Sequence, residues 1–168
     1  MKRFWKTATT VPQDGGWGIA LDGRPVRTPA RAPLVVPSEE LAEAIAAEWN
    51  AQASDIDPAA MPMTGIANAA IDLATSDRAA FAETIAAYAQ TDLLCYRDDR
   101  DAALQGEQAA AWNPLLAWAE ARHGIEFALA QGVLPIDQPA ATVAALREAV
   151  HALDPFRLAP LSPLVTIG

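Results

Sequence analysis

The chain has 168 residues, 52% of them hydrophobic, enough to bury the core of one or two small domains and too many for a disordered protein. Its net charge of −9 repels nucleic-acid backbones and anionic lipid, so neither nucleic-acid binding nor membrane association is expected. A single cysteine, Cys95, excludes an intrachain disulfide and a Cys-rich zinc site, and points to a reducing compartment.

No run approaches the ~20 apolar residues of a membrane-spanning helix. The opening Met1-Lys2-Arg3-Phe4-Trp5-Lys6 has no apolar stretch of the secretory kind. The expected location is the cytoplasm of a bacterium, or the mitochondrial matrix if the source is eukaryotic.

Residues 1–37 read as a small hairpin-rich β domain. Trp17 to Leu21 is a short apolar run, Asp22-Gly23 is a tight-turn dipeptide, and Val26 to Thr28 and Leu34 to Val36 are β-branched stretches. Pro25, Pro29 and Pro33 confine these segments to edges or strand ends, because proline has no N–H to donate to a central ladder.

From Ser38 the pattern becomes helical, and residues 38–168 read as a larger, mainly α-helical domain, giving an α+β fold. Ser38 before Glu39 and Glu40 is an N-cap with acids in the first turn, and Leu41, Ile45 and Trp49 follow on one face. After Asp57-Pro58 and Met61-Pro62, Thr64 is placed to cap a second helix carrying Ile66, Ala70 and Leu73. A third helix, starting near Ser76 or Asp77, is expected to bury Phe81, Ile85 and Tyr88. The expected core takes in Leu41, Ile45, Trp49, Ile66, Phe81, Ile85 and Leu94.

Asp98-Asp99-Arg100-Asp101 is a charged connector, with a helix from about Ala102. Asn113-Pro114 offers a cap and first-turn proline for Leu115 to Arg122, so that Pro114 either kinks one long helix or separates two; Gly124 closes the segment. Ile125 to Leu129 is predicted as a short strand, and Gln138-Pro139 opens a last helix with Val143, Leu146, Val150 and Leu153. Pro155 to Gly168 ends on an apolar stretch without a polar cap, from which the natural chain is expected to continue, leaving the helical domain incomplete here.

Catalytic constellations are scarce. His123 and His151 are each expected near a helix C-terminus, where imidazole complements the dipole, and they lack the spacing that sets two metal ligands on one helix face. No metal and no cofactor is expected. Cys95 lies between Leu94 and Tyr96 with only Arg97 as a local activator, which suits a small buried hydrophobe better than a nucleophile. Gly15-Gly16-Trp17-Gly18 lacks the spacing of a phosphate loop and reads as a hairpin turn. Arg24 and Arg27 either grip an anion or sit on strands paired with surface acids.

Five tryptophans bear on the choice between enzyme and binding protein, since Trp serves both cores and interface hot spots. Trp49 belongs to the core pattern. Trp5, near the terminus, and Trp17, beside glycines, are the candidates for partner contact, together with Arg24 and Arg27.

Several strings carry a resemblance. Lys2 to Lys6 (KRFWK), Leu21 to Pro29 (LDGRPVRTP), Leu41 to Trp49 (LAEAIAAEW), Met61 to Thr64 with Ala67 to Asp72, Thr91 to Arg97 (TDLLCYR), Trp112 to Trp118 (WNPLLAW) and Leu153 to Phe156 resemble, in order, the assembly-chaperone family for the alpha subunit of F-type ATP synthase. The resemblance spans nearly the whole chain. It implies a small N-terminal β domain and a larger helical one, and an ATP-independent chaperone that holds the unassembled alpha subunit until the beta subunit replaces it; the alanine richness points to a bacterial member. Fuller members of that family continue in helical sequence that carries an acidic residue linked to function, which has no counterpart among these residues. Two other functional classes stand beside this one: a small hydrolase or transferase using the Arg24/Arg27 loop, which turnover would reveal, and a permanent structural subunit, which stoichiometric retention in a finished complex would reveal.

Overall fold

The computed structural model describes residues 2–74 and 76–167. Strands come first, as β1 (Ala8–Gln13), β2 (Gly16–Leu21), β3 (Arg24–Pro25) and β4 (Val35–Val36). Helices follow as α1 (Glu39–Ala51), α2 (Pro62–Ala74) and α3 (Arg78–Ala86). A two-residue strand β5 (Tyr96–Arg97), α4 (Ala102–His123) and a two-residue β6 (Ala130–Gln131) lead to α5 (Ala140–His151), α6 (Pro155–Leu158) and α7 (Leu161–Ile167). The expected α+β order, strands first and helices after, is the observed one.

The chain divides into two compact units. The first runs up to Arg78 and takes in Asp154–Leu164; the second comprises Ala79–Leu153 and the residues from Val165. Secondary structure changes at Ser38 as the sequence suggests, yet the compact units are drawn elsewhere: α1 and α2 group with the sheet, because the sheet's apolar face has no other cover within its own residues.

In the first unit β2 is central. It pairs antiparallel with β1 on one side, from Ala8 opposite Leu21 to Gln13 opposite Gly16, and with β3 and β4 on the other. β1 carries Pro12 on the sheet's edge, where a missing N–H leaves no gap in a ladder. The sequence reading passed over this strand, since Ala8-Thr9-Thr10 shows little apolar alternation. The Asp22-Gly23 turn has φ of 48° and 80°, the doubly left-handed geometry of a two-residue hairpin. At Gly16 a Cβ would lie 2.2 Å from the Val36 carbonyl oxygen, so only glycine lets β4 close on β2.

Ser38 caps α1 through the Leu41 N–H, as expected. The face of α1 laid on the sheet is built from small side chains around one large one: Ala42, Ile45 and Ala46 are buried, with Leu41 and Trp49 half-buried beside them. Ile45 meets Ile19, Leu34, Val36 and Ala67 in one cluster, and Trp5, Ala8, Leu21 and Ala46 form a second. Ile66 is half-buried, while Ala67 and Ala70 of α2 are fully covered.

The cap of α2 is not Thr64. The Glu48 carboxylate, on α1, accepts the Met63 N–H (2.7 Å), the Thr64 N–H (2.8 Å) and the Thr64 hydroxyl (2.7 Å). A carboxylate on exposed first-turn N–H groups does the work of a local cap with full charge behind it. The sequence hides this because the partner lies 15 residues upstream.

In the second unit, α3 buries Ala82, Ile85 and Ala86; Phe81 is half-buried and Tyr88, in the 3₁₀ turn that follows, is 42% exposed. The stripe is therefore rotated toward the alanines. Glu83 ties α3 to α5 by accepting from Arg147 (2.9 Å) and facing His151 Nε2 at 3.2 Å. Pro114 lies within a single helix, so Asn113 is not a cap; Asp101 caps α4, and Gly124 closes it at φ 64°. Ile125 to Leu129 is not a strand. The pairing falls on Ala130–Gln131, parallel with Tyr96–Arg97, because the backbone at 126–128 is taken by side chains: the Gln138 amide accepts the Ala128 N–H and donates to the Ala128 carbonyl, and the Thr142 hydroxyl donates to the Glu126 carbonyl. Both histidines stand in the last turn of a helix, His123 in α4 and His151 in α5.

If Glu48 is the cap of α2, Glu48→Ala should lower unfolding stability by about 1–2 kcal/mol in urea titration, with Glu48→Gln recovering part of the loss. A Glu48→Ala variant indistinguishable from the parent would show that solvent serves those N–H groups equally well.

Candidate functional site

Trp5 and Arg24 come together in the first unit, and Trp17 does not join them. A recess of about 210 Å³ is lined by Phe4, Trp5, Leu21, Asp22 and Arg24. Trp17 lies four residues along β2 from Leu21, about 13 Å away at strand rise, half-buried between its neighbours Pro12 and Val36. Arg27 is exposed beyond β3, its guanidinium donating to the Arg31 carbonyl at 2.8 Å.

Trp5 is not available as a surface anchor. It is 4% exposed, packed edge-on against Trp49 at 5.0 Å between centroids, with the Arg3 guanidinium 5.4 Å from its ring. The buried indole N–H groups of Trp5 and Trp49 have no acceptor, a cost accepted for ring packing. The segment beside Trp5 is held in place, because Arg3 donates to the carbonyls of Trp5, Lys6, Asn50 and Gln52. The exposed aromatic here is the neighbour, Phe4, 68% accessible and 5.1 Å from the Trp5 ring. Sequence reasoning missed it by weighting Trp above Phe.

Asp22 shapes the recess. Its carboxylate accepts the backbone N–H groups of Thr7 and Lys6, and these bonds hold its carboxyl below the usual carboxylate range, with the nearby charges of Lys6 and Arg24 adding to the effect. Arg24, which lines the recess, is exposed, as is Lys6, whose backbone N–H meets Asp22.

The second unit contains a cleft of about 540 Å³ beside Arg97, walled by Ala102, Gly106 and Ala109 of α4 and by Leu129 to Gln131. Arg97 is 7% exposed and is held by the Leu94 and Tyr96 carbonyls, by Asn113 Oδ1 at 2.7 Å and by the Trp112 ring at 5.3 Å. Cys95 beside it is fully buried; burial first, then the Asp92 carboxylate, push its thiol up to about 11, so it carries no thiolate at neutral pH. Among the described residues no group of three or more His, Cys, Asp or Glu could hold a metal ion. No helix among them is long and apolar enough to cross a membrane.

α4 buries only Leu116 and leaves Leu115 and Trp118, one turn apart, 54% and 65% exposed. Its sequence lacks a clean apolar stripe, and that absence is the signal by which these exposed side chains could have been found.

Fold and surface together define a chain with a helix-backed antiparallel sheet, a separate helical unit, and exposed apolar side chains. The same fold is found in the crystal structures of Atp12 from Paracoccus denitrificans (43% identity, TM-score 0.91, 99% of this chain and 71% of that one) and of a mutant of that protein (TM-score 0.92), and in the Atu1473 protein of Agrobacterium tumefaciens (40% identity, TM-score 0.89, 99% and 63%). The family model described as ATP12 chaperone protein matches residues 2–120, and the chain belongs to that family. The mitochondrial protein atp12 of Schizosaccharomyces pombe is 28% identical over 170 residues; the match covers 94% of this chain but only 58% of that relative's length.

Two expectations follow from the titrating groups. Asp22 has a lowered folded pKa, so its contribution is present above the unfolded value near about 4 and lost as pH falls through the folded one. Asp22→Asn keeps a residue tolerant of positive φ, and its stability deficit against the parent should shrink as pH drops from about 5 to about 2; a deficit constant with pH would remove the charge from the account. Cys95 should react with a disulfide reagent at pH 8 about a hundredfold or more slower than in the urea-unfolded chain, and equal rates would contradict its burial and raised pKa.

Proposed function

We propose that this protein is an assembly chaperone of F-type ATP synthase that binds the unassembled alpha subunit, prevents its aggregation without nucleotide, and gives it up when the beta subunit arrives. On this reading it is a binding protein, working in the bacterial cytoplasm or the mitochondrial matrix, and not an enzyme. The observation that carries the proposal is the match of residues 2–120 to the ATP12 chaperone family.

Physical chemistry gives the task its sense. A ring subunit without its neighbours exposes apolar surface that aggregates at cellular concentrations, and a protein that covers the surface reversibly suppresses this. An interface of about 1,200–2,000 Å² is stable enough to shield such a patch and small enough to be displaced by a more extensive one. Phe4, Leu115 and Trp118 provide exposed apolar area of the needed kind, while the charge of −9 keeps copies of the chaperone apart. The thiol of Cys95 is buried and protonated, which favours binding over nucleophilic chemistry.

The test is to dilute denatured alpha subunit into buffer with and without this protein, without ATP, following turbidity, and then to add beta subunit. Turbidity should fall in proportion to chaperone up to about equimolar, and beta subunit should displace the chaperone from the complex. Unchanged turbidity with no complex on gel filtration would overturn the proposal.

A further inference from the structure

Arg97, in the second unit, is a buried cation without a counter-ion. It is 7% exposed, and the ion pairs among the described residues are Arg100 with Asp99, Arg147 and His151 with Glu83, and Arg157 with Asp154, so no carboxylate among them stands within 4 Å of its guanidinium. A charge taken out of water is ordinarily paired, because its lost hydration is otherwise not returned. Arg97 has only neutral partners: Nη1 donates to the Leu94 and Tyr96 carbonyls and Nη2 to Asn113 Oδ1. Three of its five N–H donors are thereby used, and the Nε–H and one N–H of Nη2 have no partner among the described residues. The acids nearest in sequence are engaged elsewhere. Asp98 accepts the Arg100 and Asp101 N–H groups, Asp101 those of Ala103 and Leu104, and Asp99 faces Arg100 at 3.8 Å.

Arg97 and Asn113 both line the cleft of about 540 Å³, and the rest of its wall is largely slender and apolar: Ala102, Gly106 and Ala109 on one face of α4, with Leu129 and Ala130 opposite in the lining. Gly106 lies inside α4, where glycine weakens a helix relative to alanine. A Cβ there would meet nothing within 4 Å, so packing does not require the glycine, and what its missing side chain leaves is room in the cleft.

We propose that this cleft is a carboxylate-binding site, in which a carboxylate on a short, slender stem takes the unused N–H donors of Arg97 while the stem lies along the Ala102–Gly106–Ala109 face. A carboxylate matches a single guanidinium in charge and brings two acceptor oxygens to its planar fork. A phosphate dianion would set a second negative charge near the Asp98–Asp101 connector. The carboxylate is that of a free short acid or of an Asp or Glu side chain in a bound polypeptide; the chemistry at Arg97 is the same. The site goes beyond the chaperone assignment and does not depend on it.

Proton–nitrogen NMR of the arginine Nε–H groups, at constant ionic strength, tests this with propanoate as the probe. The Arg97 Nε–H resonance should move with half-saturation at about 1–10 mM, and sulfate at equal concentration should move it less than about a tenth as far. Gly106→Leu fills the cleft and improves helix propensity, so it should weaken propanoate about tenfold or more while the urea midpoint holds or rises. Asn113→Asp, which sets a carboxylate beside Arg97, should weaken propanoate by a similar factor. Ala111→Leu, on the opposite face of α4, should change binding less than about twofold. Circular dichroism confirms that each variant is folded. A second probe, the blocked peptide Ala-Glu-Ala, separates the sources: binding about tenfold or more tighter than propanoate, and lost in Ala-Gln-Ala, assigns the site to a polypeptide side chain, and anything weaker assigns it to a free acid. No movement with either probe, an equal response to sulfate, or a response undiminished in Gly106→Leu would overturn the proposal and leave the chaperone reading untouched.

Discussion

The first unit depends on the polar end of α1. Buried backbone groups must find partners, and three segments find theirs on this one helix. Glu48 receives the first turn of α2, the Asn50 amide pairs in both directions with the backbone of Ala8 (2.8 and 2.9 Å), and the Asn50 and Gln52 carbonyls accept from Arg3. Gln52 also receives the Asp57 N–H at 2.7 Å, which fixes the turn leading toward α2. The apolar stripe of α1 sets where it lies on the sheet, and its polar C-terminal half sets what else can attach there. Small residues at Ala42 and Ala46 allow the close approach that brings those polar groups within reach.

Charged side chains in this protein divide into those drawn into the fold and those left at the surface. Arg3 and Arg97 belong to the first kind: each satisfies several main-chain carbonyls and rests against an indole, and Arg97 is nearly inaccessible. A guanidinium suits this role because its five N–H donors fan out in a plane and bind several acceptors at once. Lys6 and Arg24 belong to the second kind. Sequence position does not distinguish the kinds, since Arg3 and Lys6 are three residues apart.

The same division holds for aromatic residues. Trp5 and Trp49 are packing elements, Trp112 is half-buried under the Arg97 guanidinium, and Trp118 faces outward. Membership of the ATP12 chaperone family fits a surface that keeps apolar area in reach of a partner while its only thiol is shut away. The chain spans 58% of the length of its fission-yeast relative and 71% of the Paracoccus protein, so these surfaces belong to the part shared among them.

The amino-acid sequence by itself determined the order of strands and helices, the Asp22-Gly23 hairpin, the Ser38 cap, the Gly124 stop and the burial of Cys95. Each of these is written in a few adjacent residues: positive φ favours glycine or a short polar side chain, and Ser38 stands directly before the helix that it caps. It also carried the family, through strings spread in order along the chain. Tertiary structure alone decided that Glu48 caps α2, that Pro114 runs inside one helix, that β6 forms at Ala130 rather than Ile125, and that Trp5 is covered while Phe4 is not. Those outcomes depend on groups between 10 and 44 residues apart, and no local pattern records which distant side chain will reach a given N–H or cover a given ring.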